Sequence, residues 1–428
     1  MAKKKFDFTS GSKIKYRLMY AFCAYLIVAA LIFNSPKEIL NGLKIITTAS
    51  DNLITDYMEL ANIGAALFNS AILTMIHLSV MKYLKVNLDS LNIAALLTVT
   101  GFALFGKNFI NYIPLSLGVY LYSFIKKEDL KTNVNTALFI NALGPMVTEI
   151  YYIVGGIEGI FVAMLVGLFV GVVFTPLAES FKAFHHGFSL YNAGFTAGII
   201  AMLFNGFLRS IDIYIVDKNI ILKGHNRELF IMLFILQAII IVTGYFSDEK
   251  AFKNYKRLIL TSGVNQPKYT DLFGIGATLI NCGTMGLFAT CYVILVGGQL
   301  NGPTIGGILT IMGFAFVGKN IKNAIPIFVG VYLASALNIY NAHQTGPMLA
   351  ALFGTTLCPI SGYYGIIPGI IVGFLHMGLV TNVGGLNSGL NLYNNGFSGG
   401  FIAAVAVPIL NAFYPVFGLE IEEKYYDD

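Results

Sequence analysis

Charge is what this sequence has least of. Asp, Glu, Lys and Arg make up 11% of its 428 residues, against about a quarter in soluble domains. The deficit runs from residue 17 to residue 415, so no appended soluble domain is expected. Cysteine is scarce as well. Cys23, Cys282, Cys291 and Cys358 stand singly in apolar runs and form neither a Cys-x-x-Cys nor a Cys/His cluster, so they read as reduced packing residues. The six histidines are scattered apart from His185-His186, and nothing has metal-ligand spacing. There is no Walker motif, no His-Glu-x-x-His, no Ser/His/Asp arrangement and no close carboxylate pair. These absences count against an ATP-driven pump and imply no cofactor or metal. An intramembrane enzyme is therefore a second choice of class, beside a non-transporting structural or receptor role.

What is present is apolar. The chain is 56% hydrophobic with 45 Gly and 34 Phe, and its mean hydropathy is +0.72. That is more apolar side chain than a soluble core can hide, so lipid must be its solvent. The net charge of +5 comes largely from a basic start, Lys3-Lys4-Lys5, Lys13, Lys15 and Arg17. Such a tail beside a first span marks the cytoplasmic side, and nucleic acid need not be invoked. The stretch that follows, Leu18 to Phe33, ends in Asn34-Ser35-Pro36 without a small-residue cleavage site. It is expected to be a retained span, not a signal peptide.

The sequence repeats itself. Gly101 to Leu121 returns as Gly313 to Leu333 with 13 of 21 positions identical. Ile63-Gly64-Ala65 and Asn69 answer Ile275-Gly276-Ala277 and Asn281, and Gly187 to Gly198 answers Gly389 to Gly400. The halves are therefore a first membrane repeat at 17–208 and a second at 229–411. A polar linker, 209–228, joins them, with a basic tail at 1–16 and an acidic tail at 412–428.

Seven apolar stretches fill the first half, near 18–34, 60–81, 89–106, 109–125, 134–154, 157–177 and 188–208. Most approach the ~20 residues of a spanning helix. The polar stretches Ser35–Glu59 and Ser247–Asp271 carry apolar residues at helical spacing and predict interfacial amphipathic helices. An odd number of crossings inverts the second half. With the N-terminus inside, 20 of the 27 Lys and Arg fall on inner segments, as the positive-inside rule requires. Residues 89–125 and 301–338 form either two full spans each or a re-entrant hairpin, and inversion survives both.

Inverted repeats allow equivalent inward-open and outward-open states around one central site. Three features can serve such a site. In Gly-Lys-Asn-x-x-Asn-x-Ile-Pro, residues Lys107, Asn108 and Asn111, and Lys319, Asn320 and Asn323, flank either a helix broken at membrane depth by Pro114 and Pro326 or a tight interfacial turn. In Leu-Tyr-Asn-x-Gly-Phe, Tyr191-Asn192 and Tyr393-Asn394 offer hydroxyls and amides to a polar solute, or form a small-residue helix seam. Glu149, in an apolar run, is a candidate proton or cation site, although the second half has no acidic counterpart.

Together these duplicated segments resemble an uncharacterised family of bacterial multi-pass membrane proteins, a domain of unknown function, over the full chain. A weaker similarity is to urea transporters, whose inverted halves carry a Gly-Tyr-Asn motif that Tyr191-Asn192 and Tyr393-Asn394 would match, with Leu190 and Leu392 in place of the glycine. The expectation is an all-α integral membrane protein of two inverted-topology repeats in a bacterial inner membrane, both termini cytoplasmic. It would move a small polar solute or ion between its halves, with the bilayer as its partner and homo-oligomerisation open.

Overall fold

The computed structural model describes residues 10–337 and 341–417, so the lysines at 3–5 and the acidic tail beyond 417 lie outside the described residues. The first half comprises α1 (Ser10–Phe33), α2 (Pro36–Thr48), α3 (Tyr57–Leu60), α4 (Ile63–Tyr83), α5 (Ser90–Phe102), α6 (Tyr112–Lys126), α7 (Val134–Phe139), α8 (Gly144–Val154), α9 (Gly156–Phe181) and α10 (Asn192–Ser210). The second comprises α11 (Asn226–Ser247), α12 (Ala251–Leu258), α13 (Tyr269–Leu295), α14 (Gly302–Phe314), α15 (Ile321–Ala336), α16 (Thr345–Gly354), α17 (Cys358–Tyr364), α18 (Ile366–Asn387) and α19 (Asn394–Phe413).

The order is the same in both halves. α3 and α4 correspond to the single α13, whose backbone breaks at Gly274 with φ +81°. Among the described residues nine helices are long and apolar enough to cross a membrane, and α2 and α12 are the expected amphipathic pieces. A capping box between Ser35 and Glu38 starts α2, with Pro36 at its first position.

α5 and α6 settle the choice left open by the sequence. Their 13 and 15 residues give about 20 and 23 Å at 1.5 Å per residue, short of a hydrocarbon core of ~30 Å. The turn between them is inside the protein, with Gly101 to Asn108 all buried. They form a re-entrant hairpin, and α14 and α15 form its equivalent. With the hairpins set apart, five of the nine candidate spans among the described residues fall in the first half, an odd number.

The prolines do not make these breaks. Pro114 is the third residue of α6, where its missing N–H has no intrahelical partner to lose, and Pro326 is the sixth residue of α15, inside a helix that continues past it. The chain turns instead at Gly106 and Gly318, with φ of +111° and +91°, a region glycine enters without steric cost.

α5 and α14 pack on each other at the centre. A Cβ on Gly101 would sit 2.6 Å from the Gly306 carbonyl oxygen, and one on Gly313 would sit 2.9 Å from that of Ala94. Gly313 is the repeat equivalent of Gly101, and Gly306 of Ala94. The two equivalent helices therefore run antiparallel about a pseudo-two-fold axis perpendicular to them, and the repeats are inverted. The same axis passes between Gly194 of α10 and Gly396 of α19, where a Cβ on either would lie within 2.9 Å of the other's Cα.

One face of the molecule carries the 211–225 linker, which meets the segment after α2 through the Thr55–Ile220 bridge. The opposite face carries the start of α1 and the 259–268 loop, tied to α5 by the Lys268–Asp89 ion pair at 2.8 Å. These are called the linker face and the tail face below.

Candidate functional site

Each hairpin tip is clamped by one asparagine from the preceding long helix. Asn69 Nδ2 donates to the carbonyls of Ala103 (2.7 Å) and Lys107 (3.0 Å). Asn281 Nδ2 donates to those of Ala315 (2.8 Å) and Lys319 (2.7 Å). Within the motif the asparagines serve the backbone. Asn108 and Asn111 accept from each other's amides at 3.1 and 3.0 Å, as Asn320 and Asn323 do at 3.0 Å. Asn111 and Asn323 also donate to the Gly106 and Gly318 carbonyls. Four of the sequence-derived candidates thus shape the break and leave the lysines as its free chemistry.

Both lysines are fully buried, and among the described residues neither has a carboxylate at ion-pair distance. Their surroundings differ. Lys319 Nζ donates to Tyr191 Oη and, at 2.6 Å, to Thr355 Oγ1, and lies 4.3 and 5.3 Å from the ring centroids of Tyr191 and Phe314. Lys107 Nζ meets His77 Nε2 at 2.7 Å and the Tyr112 ring at 5.1 Å. The residues equivalent to Tyr191 and Thr355 are Tyr393 and Asn141, and neither Tyr393 Oη nor Asn141 Oδ1 has a hydrogen-bond partner among the described residues.

The two motif tyrosines meet on the axis, ring centroids 4.5 Å apart. Phe314 lies edge-on to Tyr191 and Phe102 edge-on to Tyr393. Their asparagine neighbours do not join them. Asn192 donates to the Ala178 carbonyl and pairs with His185, while Asn394 accepts from Asn387.

A cavity of about 960 Å³ opens from the tail face past Lys182, His185 and His186 and ends at Tyr191, Tyr393 and Phe314. Its lining residues Asn135, Thr136, Gly187, Asn192 and Ala193 are all part-exposed, whereas their repeat equivalents Leu349, Ala350, Gly389, Asn394 and Asn395 are all buried.

Glu149 is elsewhere, in a polar cluster under the linker face. It accepts from Ser50 Oγ at 2.5 Å, and Lys218 Nζ donates to the Ser50 carbonyl at 2.7 Å. Next to it is Asp51, fully buried, whose Oδ2 accepts from Tyr57 Oη at 2.8 Å and Asn108 Nδ2 at 3.0 Å. Asp51 Oδ1 has no hydrogen-bond partner among the described residues. Asp51 lies outside the spanning helices, and burial pushes its carboxyl up to about 7. In the second half Asn320 Nδ2 donates to Thr261, whose hydroxyl pairs with that of Tyr269, so a neutral hydroxyl replaces this acid.

Sequence reasoning missed Asp51 and His77. Asp51 lies in a polar stretch read as interfacial, and only the fold buries it. His77 carried a signal: it is a titratable residue inside a span, 212 residues before an alanine, Ala289.

The fold and the site together define an integral membrane protein of two inverted helical repeats, each with a re-entrant hairpin whose tip buries a lysine. The model of the family described as "Protein of unknown function (DUF1576)" matches the chain twice, at residues 35–210 and 247–412, and the chain belongs to that family. No curated protein and no solved structure matches it.

Proposed function

We propose that this protein is a secondary transporter, not an enzyme, that moves a small polar solute across a bacterial inner membrane by alternating access. One observation carries the reading. Residues made equivalent by the inverted repeat are open to a cavity on the tail face and buried on the linker face, while the cavity ends at the tyrosine pair on the symmetry axis. Inverted-repeat carriers exchange two such states by letting the halves swap conformations around a fixed central site. The molecule then stands in its tail-open state, and the basic-residue bias makes that face cytoplasmic.

Cysteines at Asn192 and Asn394 in a cysteine-free background test this. A membrane-impermeant thiol reagent applied to the tail face should label Asn192→Cys. Asn394→Cys should label slowly and only from the linker face, in proportion to the rarer opposite state. Labelling of both positions from one face would indicate an open pore and refute alternation.

A further inference from the structure

We infer that the solute bound on the axis is a small organic anion, a carboxylate with an apolar remainder, held by Lys319, Tyr191 and Tyr393. The inference rests on the transport reading for the site's location but not for its chemistry.

The cavity ends at Tyr191, Tyr393 and Phe314, and Lys319 donates to Tyr191 from behind. Lys319 Nζ brings three N–H groups and no acceptor. Its neighbours include the hydroxyl oxygens of Tyr191 and Thr355, the ring faces of Tyr191 and Phe314, and the Cys358 thiol. Burial disfavours an unpaired charge at Nζ, and the ring faces and hydroxyl oxygens offset part of that cost. Thr355 passes its own hydroxyl proton to the Leu352 carbonyl, at 2.6 Å. Tyr191 Oη accepts from the lysine, which leaves its O–H to donate. Tyr393 Oη, fully buried, has no hydrogen-bond partner among the described residues. Tyr191 and Tyr393 therefore close the cavity, and Lys319 stands directly behind Tyr191.

Buried polar groups are ordinarily satisfied, and a buried charge is ordinarily paired. A bound oxyanion supplies both at once. It accepts from the two tyrosines and gives Lys319 the counter-charge it lacks. A cationic solute would add a second positive charge beside Lys319. A neutral amide would satisfy one hydroxyl and leave the ammonium unpaired.

The walls fix the rest of the ligand. Among the described residues that line the cavity Glu179 is the one carboxylate, against Lys182, His185 and His186. Phe139 and Phe174 line the cavity, and Phe314 stands at its end. An aromatic interior suits a carboxylate carrying hydrocarbon better than phosphate, whose whole surface needs hydrogen bonds.

The test is thermal unfolding of the purified full-length protein in detergent with matched probes: butyrate, benzoate, phosphate, butyramide and butylammonium. Butyramide is the neutral isostere of butyrate, so the pair isolates the charge. Butyrate or benzoate at ~100 times its Kd should raise the midpoint by a few °C, and butyramide and butylammonium should not. Lys319→Met and Tyr393→Phe should each weaken that effect about tenfold or more, as loss of a charge-assisted or buried hydrogen bond implies. Lys319→Arg, which keeps the charge, should retain part of it.

The inference is overturned if butyramide or butylammonium stabilises as well as butyrate, if phosphate alone stabilises, if no probe does, or if Lys319→Met keeps the full shift. The measurement reads binding alone. Its failure leaves alternating access standing, and failure of the labelling test leaves the anion site standing.

Discussion

Asn69 and Asn281 each spend one amide on two carbonyls that the chain reversal has left without helical partners. Removing either exposes two buried acceptors to an apolar environment, and an unsatisfied buried group costs about 1–3 kcal/mol. Asn69→Ala and Asn281→Ala are each expected to lower thermal stability by that order per carbonyl, readable as a drop in melting midpoint. Asp51 gives a second expectation at this scale. Its folded-state carboxyl titrates near 7, above the unfolded value of about 3.9, so the native state holds the proton more tightly between those limits. Stability from this group is greatest below ~4, falls as pH rises to 7, and is flat above it. Tyr57, Lys218 and Glu149 face the same carboxyl, so the clean measurement is the difference between wild type and Asp51→Asn across pH 4–8. That difference should grow in the mutant's favour up to pH 7, and a pH-independent difference would refute the buried-acid assignment. At this scale the sequence revealed which residues were unusual but not what each one touches. The duplicated Lys-Asn-x-x-Asn stood out because polar residues are costly in lipid. That its asparagines cap backbone while its lysines point in different directions depends on contacts from α4, α10 and α16, far away in sequence.

The hairpins show what element-level reading could and could not deliver. The apolar stretches around Gly106 and Gly318 are long enough on either side to be drawn as full spans, and hydropathy does not distinguish a tip in headgroups from a tip inside protein. The α5–α14 crossing decides it, because two short helices side by side fill the centre that one long pair would otherwise pierce. That crossing depends on glycine. A Cβ on Gly101 would lie 2.6 and 2.8 Å from the Gly306 oxygen and Cα, backbone atoms that cannot rotate aside. Gly101→Ala should therefore force the hairpins apart and cost about 1–3 kcal/mol, as overpacking does. Gly206→Ala, at a position in α10 with nothing within 4 Å of the added carbon, is the control and should be near neutral. Equal effects in thermal unfolding would refute the close-crossing account.

The whole molecule is nearly symmetric, and its departures from symmetry carry the last expectation. The duplication and the inversion were legible in the sequence, since repeated motifs and basic-residue bias survive without any knowledge of contacts. The choice of open face was not, because both halves encode both states. In the second half the hairpin lysine sits at the axis with Tyr191 and Thr355. In the first it turns away to His77, leaving Tyr393 Oη and Asn141 Oδ1 without hydrogen-bond partners among the described residues. If the halves exchange conformations during transport, those two atoms are the seat that Lys107 takes when the linker face opens. His77 then acts as a latch for the tail-open state, and the second half, with Ala289 in that position, has none. His77→Ala deletes the acceptor that holds Lys107 away from the axis, so it should raise the population of the linker-open state. The readout is the labelling rate of Asn394→Cys from the linker face, set against that of Asn192→Cys from the tail face. The ratio should shift toward Asn394 in His77→Ala, and adding Tyr393→Phe, which removes the vacant seat, should bring it back. An unchanged ratio in a folded His77→Ala protein would mean that Lys107 stays where it is throughout, and that the two halves do not exchange roles through their lysines.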